Sequence, residues 1–368
     1  MLFVSLLKKP REIDMGPRGR RAINWLFLGE VEAVKAGARF RASVLTMAGS
    51  ISDSKGYRGL RPVFMVALAA MMLGSACSVR RMAVNKLGDA LASGSSGFAS
   101  DDDPELVKGA VPFSLKLIES LLVESPRHRG LLLAAASGFT QYSFAFVQQE
   151  ADEAEEQSLD AAEAGRARAG KLYRRARDYG LRGLELKHSG LGRRLNEDPK
   201  SAVRSFGKTD VPLLYWTAAS WGALISLSKN SPELIAQQPV VEAMMDRALE
   251  LDSSFEGGAI HAFMISYESA RPGGQSSAEG RSREHFHRAV ASSGGRLAGP
   301  YVSLAEAVSV RKQDAAEFKR LLEAALAVDP EAHPPWRLAN LVMQRRARWL
   351  LKRMDEFFAP EMPNSEKP

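Results

Sequence analysis

Residues 104–358 are expected to form an all-α domain, and three observations carry that expectation. Apolar residues recur at spacings of three or four through almost every segment from Pro104 to Phe358, and nothing alternates over a useful length, so strands are not predicted. Three runs also close alike, at Leu122–Pro126 (LVESP), Leu249–Ser253 (LELDS) and Leu326–Pro330 (LAVDP), each ending an amphipathic stretch at polar or breaker residues. Ala248, Ala289 and Ala325 fall in equivalent places, 41 and then 36 residues apart, where a helix needs a small residue to let its neighbour approach.

The first helix is expected to open at Asp103 followed by Pro104. An acidic N-cap and a proline at the first helical position satisfy the free amides and suit the helix dipole, so the Asp101–Asp103 run reads as a cap rather than a cation site. Hairpins follow at 127–150 with 166–188, 211–228 with 239–251, 256–271 with 281–293 and 299–310 with 313–328, and a helix over 336–358 caps the end. Spacings of this size suit a degenerate tetratricopeptide (TPR)-like α-solenoid. Phe318, Leu322, Ala325 and Pro330 match the second helix of that repeat, with Phe318 replacing a small residue. Glu150–Gln157 is acidic and Arg166–Arg177 basic, which reads as a solvated turn facing a solvated helix face. Gly273-Gly274 and Gly294-Gly295 read as turns.

Ahead of the domain stands Cys77, the single cysteine of 368 residues, directly after Gly74, Ser75, Ala76 and the apolar run 63–73, with Lys55, Arg58 and Arg61 in front. Cationic segment, short apolar segment and small residues before a thiol make a bacterial lipoprotein signal, with Cys77 as the lipidated residue. An eleven-residue apolar run falls well short of the roughly 20 residues that span a bilayer. One departure is Gly74, where the usual signal has Leu; Leu73 lies one place further back. Met47 begins a signal of ordinary length, 47–76, so residues 1–46 are expected to be upstream sequence read in frame, 77–103 a lipidated tether and 359–368 a disordered tail. Ser78 favours the outer over the inner membrane by the sorting rule of enteric bacteria.

Charge supports that cut. Residues 1–61 hold 12 Lys and Arg against 5 Asp and Glu, a surplus equal to the +7 of the whole chain, so the mature protein is neutral and the basic pI of the whole chain implies no nucleic-acid partner. One cysteine excludes an intrachain disulfide framework, leaving the fold to its core.

DDDPELVKGAVPFSLKLIESLL at 101–122, LLLAAASGFTQYSFAFVQQEA at 131–151, YWTAASWGALISLS at 215–228 and RLANLVMQRRARWLL at 337–351 carry a more specific signal. Together they resemble the T component (TatT) of tripartite ATP-independent periplasmic (TRAP) transporters, over about 100 to 358. The resemblance implies an exported lipoprotein with a degenerate TPR fold, a trimeric homo-oligomer, a periplasmic location, and work beside a periplasmic solute-binding protein as scaffold or ligand relay rather than as an enzyme.

Independently, the chain shows no HExxH, no GxxxxGK loop and no interpretable nucleophile–base spacing, so neither a catalytic site nor a cofactor or metal is expected. His285 and His287, two apart on a helix, point about 200° from each other and are not expected to share an ion. Candidate ligand-binding residues are the aromatic and amide side chains of long helices: Gln141 and Tyr142, with Phe139 and Phe146 on the same face; Trp216 and Trp221; and Asn340 and Gln344 near Trp336. An inner groove of stacked hairpins would set them around a small, partly apolar solute, while the same residues also suit a helical core. The alternative is an envelope-assembly lipoprotein binding polypeptides on the same TPR surface; gene neighbours encoding a permease and a solute-binding protein separate the two.

Overall fold

Leucine and alanine at helical spacing leave one face of nearly every segment apolar, and burying those faces in turn dictates how each helix meets the next. A computed structural model describes Lys86, Gly88, Asp89 and residues 96–271 and 277–358, all in the second of two compact units, Cys77–Pro368. Among the described residues there are helices and no strands. The signal segment, Cys77, residues 1–46, the tail 359–368 and the turn at Gly273-Gly274 lie outside them.

Helix α1 is Pro104–Glu124, and Asp103 caps it by accepting from the amides of Glu105 and Leu106 at 3.1 and 3.0 Å, as the sequence predicts. Helix α2, Arg129–Tyr142, runs through a π-helical turn at Ser143–Gln148 into Gln149–Ala154. Length and composition would let that run cross a membrane, but Leu131, Leu132, Ala135, Phe139 and Phe146 are buried in the protein core. Helix α3, Leu159–Glu185, starts earlier than expected because Ser158 caps it, accepting from the Ala161 amide. Two short helices, Leu191–Glu197 and Pro199–Ala202, fill the connection to α4, Val211–Ser226.

Then come α5 (Gln238–Leu251), α6 (Phe255–Ala270), α7 (Ala278–Ser293), α8 (Gly299–Leu304, continuing through a π-helical turn at Ala305–Ser309 to Val310–Lys312), α9 (Ala315–Ala327) and α10 (Arg337–Lys352). Helices α2 and α3, α4 and α5, α6 and α7, and α8 and α9 pack against each other in the expected pairs. The equivalent alanines Ala248, Ala289 and Ala325 are fully buried, as are Phe318 and Leu322. Gly294 and Gly295, at φ of 60° and 71°, end α7 in the left-handed conformation that makes them a turn.

The acidic turn after α2 is not simply solvated. Arg166 pairs with Asp152 and Glu155 as the charge pattern implies, but Arg346 of α10 also reaches Asp152 at 3.2 Å, and Arg345 reaches Glu153 at 2.6 Å and Glu105 at 3.4 Å. Arg346 grips Glu306 of the second π-helical turn as well, at 2.7 Å. The last helix is thereby docked on the first hairpin. Segment Ser96–Ala99, expected to be tether, is a helical turn whose Phe98 packs on the same core, with Arg337 bonding the Ser100 carbonyl at 2.9 Å.

Candidate functional site

The six residues singled out from sequence belong to different surroundings. Tyr142 is buried in the core of the first hairpin, its ring 5.7 Å from that of Phe146, while Gln141 on the same helix is exposed. Trp221 is buried in the next core, its indole donating to Gln237 at 2.9 Å beneath the Arg177 guanidinium. Asn340 and Gln344 are buried and spend their amides on backbone. Asn340 accepts from the Ala298 amide at 2.9 Å and donates to the Arg296 carbonyl at 3.0 Å; Gln344 donates to the carbonyls of Ala325, Leu326 and Val328 at 3.2, 3.2 and 2.7 Å. These last two groups tie α10 to loop backbone and complete the end of α9, which satisfies carbonyls that a helix terminus leaves free.

Trp216 differs. It is partly exposed on α4, edge-on to the Tyr215 ring at 4.8 Å, and Tyr215 in turn meets Phe255 at the start of α6, 5.4 Å between centroids. Beside Phe255 the backbone turns left-handed for three residues, Glu256 at φ 44°, Gly257 at φ 69° and Gly258 at φ 93°. Glycine is required at 257 and 258: a Cβ on Gly257 would lie 2.5 Å from the Trp336 ring, and one on Gly258 would lie 2.9 Å from the Ser292 Cβ. Glutamate has no such licence, and holding it left-handed costs of order 1–3 kcal/mol that the surrounding packing must over-determine.

That bend sets the Glu256 carboxylate near the Trp216 side chain. The side chain is solvent-accessible, yet the protein around it withdraws enough solvation to push its pKa up to about 7, against the opposing effect of Trp216. Burial, with the Glu256 charge second, pushes the neighbouring Tyr215 phenol up, so it stays protonated as a donor. Among the described residues no Lys, Arg or His pairs with Glu256. Tyr215, Trp216 and Phe255 thus form an aromatic cluster with the Tyr215 phenol and the Glu256 carboxylate as its polar groups, chemistry suited to a small, partly apolar molecule.

Sequence reasoning reached Trp216 but missed Tyr215 and Glu256. A signal was present in the Gly257-Gly258 pair, which marks a backbone conformation unusual within a helical pattern. A second missed pair is His261 on α6 and His285 on α7, whose Nδ1 atoms lie 2.8 Å apart. His287 is exposed and turned to Phe286, so His285 and His287 do not converge. Among the described residues no three His, Cys, Asp or Glu side chains gather as metal ligands.

Comparison with known proteins agrees with the sequence resemblance. A sequence profile described as TRAP transporter T-component matches residues 100–358, all of the described helical domain from the N-cap of α1 onward. A protein of Treponema pallidum (strain Nichols), described as uncharacterized, is 29% identical over 312 residues, covering 79% of this chain and 96% of that relative.

Proposed function

The chain belongs to the TRAP transporter T-component family, and from that premise we propose that it is a periplasm-facing lipoprotein subunit that takes up a small, partly apolar solute beside a periplasmic solute-binding protein. Membership makes it an accessory component of a transport system; the relay role is supported by one observation above the others. The cluster of Tyr215, Trp216 and Phe255 beside Glu256 combines solvent access, aromatic side chains and a strained glutamate, and strain of this kind persists where function uses it. In this reading Trp216 and Tyr215 contact the solute, while Trp221, Asn340 and Gln344 hold the framework.

Attachment through lipid at Cys77 keeps the subunit beside its membrane partner. Self-association, trimeric as the resemblance implies, is supported by Leu106 and Phe113, seven residues apart on one face of α1 and 62% and 74% exposed.

Purification of the full chain from detergent-solubilised envelope, with mass spectrometry of co-purifying proteins and retained small molecules, tests the reading. A solute-binding protein and a retained solute are expected, and a Cys77→Ser chain should leave the membrane fraction. Polypeptide partners alone, with no solute-binding protein and no retained molecule, would replace this reading with an envelope-assembly role.

A further inference from the structure

We infer that the end of the domain around the α1–α2 turn is the face this subunit lays against an anionic lipid surface. The inference rests on lipid attachment at Cys77 and adds to it which side of the domain meets the bilayer.

The place where the tether joins the folded body is set by residues well ahead of α1. Gly88 is buried against the start of α2, where a Cβ would lie 3.0 Å from the Leu131 Cδ1 and 3.1 Å from His128 Nε2. Beside it, Asp89 meets His128 Nε2 at 3.3 Å. His128 caps α2, its Nδ1 accepting from the Leu131 amide at 3.1 Å, so Nε2 carries the ring proton and donates to Asp89. Further along, Phe98 packs on the core and Arg337 holds the Ser100 carbonyl at 2.9 Å. Gly88 stands eleven residues after Cys77, and a chain of that length reaches at most about 40 Å.

That reach decides between the two ends of the first hairpin. The run Arg129–Ala154 is 26 residues, about 39 Å of helix, so the far turn at 155–158 could meet the bilayer only with all eleven residues stretched along the domain. The α1–α2 turn meets it with the tether slack.

Charge and apolar exposure favour the same end. Lys86, Arg127 and Arg182 are exposed here, Arg182 placed by its bond to the Pro126 carbonyl at 3.3 Å. Arg129 and Lys187 share the buried Asp210, at 2.8 and 3.6 Å, and Asp89 is met by His128, which leaves Glu124 as the opposing exposed acid. Val123, in the last turn of α1, is 80% exposed. An apolar side chain with cations about it suits the headgroup layer, where the side chain enters the acyl boundary and the cations meet phosphates. The far end has the opposite character: residues 149–158 hold five acids and no Lys or Arg, and cations of α1, α3 and α10 already pair with those acids. Tethering supplies the rest, because a flexible link this short sets an effective concentration on the order of millimolar, at which weak contacts hold one face down.

The test uses the full lipidated chain, with Cys77 consumed by lipid, carrying a bimane label at Val123→Cys or at Gln157→Cys in the far turn. Each is placed in phosphatidylcholine vesicles with and without phosphatidylglycerol, and quenching by brominated lipid is read. Quenching is expected to be roughly threefold stronger at 123 than at 157, to rise with phosphatidylglycerol, and to fall in Arg127→Glu and Arg182→Glu. Arg127 is an exposed turn residue, so Arg127→Glu alone carries the charge test should Arg182→Glu unfold. Equal quenching at both positions, or stronger quenching at 157, in chains that float with the vesicles overturns the docking face and leaves the anchor in place. Quenching at 123 that ignores both phosphatidylglycerol and the charge reversals also overturns it, since the face is assigned to an anionic surface. A chain that does not float and whose intact mass shows an unmodified Cys77 overturns the anchor and the docking face together.

Discussion

Arg346 and Asp152 are 194 residues apart in sequence and 3.2 Å apart in space. The contact joins the final long helix to the helical segment Gln149–Ala154 that continues α2, and the same guanidinium holds Glu306 through both of its oxygens at 3.0 and 3.1 Å. One side chain therefore pins the last helix to the first hairpin and to the π-helical turn after α8. Its surroundings are largely closed, with 15% of the Arg346 side chain and 14% of Asp152 exposed.

Arg346→Met is expected to destabilise the domain by about 3 kcal/mol, the low end for removing one partner of a buried ion pair, because Glu306 would lose its cation and Asp152 would keep Arg166 alone. Denaturant unfolding of the full chain measures it. A change below about 0.5 kcal/mol would mean that the contact behaves as a surface salt bridge.

Gly180 and Gly170 sit on the same helix and should respond to alanine with opposite signs. A Cβ on Gly180 would fall 2.1 Å from the Thr217 hydroxyl and 3.3 Å from its Cα, at the close crossing of α3 and α4, whereas at Gly170 the nearest atom is a Leu224 methyl at 3.8 Å. Gly180→Ala is expected to cost about 1–3 kcal/mol through overpacking. Gly170→Ala is expected to gain up to about 1 kcal/mol from helix propensity. Equal melting shifts for the two would refute the close-crossing account.

Acid should weaken the α6–α7 hairpin through His261. Burial foremost, and then the charge of His285, lowers its pKa from 6.5 to about 4, so the unfolded chain holds more protons than the folded one between those values and stability falls as pH drops through that window. The loss is at most about 3 kcal/mol by pH 4. His285 is shifted in the same direction by burial, with Glu268 and Glu284 opposing and Arg288 adding to it. Glu256 has the opposite sign: raised from 4.5 to about 7, it binds more protons in the folded state, and its contribution falls as pH rises across that range. Unfolding free energies from about pH 5 to 7.5 should lose their acid-side slope in His261→Gln and steepen in Glu256→Gln. Parallel curves for all three proteins would contradict both assignments.

Asn340→Ala should act on stability and leave solute binding alone. Truncation strands the buried Ala298 amide and the Arg296 carbonyl, at an expected cost of about 1–3 kcal/mol. Thermal melts paired with mass spectrometry of retained small molecules separate the effects; a stable variant that retains no solute would return Asn340 to the ligand.

Helical character, the N-cap at Asp103, the pairing of successive helices and the burial of Ala248, Ala289, Ala325, Phe318 and Leu322 were all legible in the sequence, because each follows from apolar spacing or capping within a few residues of chain. Periodicity reports which face of a helix is apolar; it is silent on which distant face covers it. The return of α10 to α2 depends on rotations accumulated over every intervening loop, so Asp152 and Glu153 read as solvated acids while Arg345 and Arg346 lay nearly two hundred residues away. The same blindness left Trp221, Asn340 and Gln344 as candidates for the lining of a groove as well as for a helical core; the folded chain spends their polar groups on Gln237 and on backbone. Glu256 shows the limit most clearly: its spacing is that of an ordinary exposed helical acid, and only the folded backbone shows the left-handed turn through Glu256, Gly257 and Gly258, where Trp336 and Ser292 leave no room for a Cβ on either glycine.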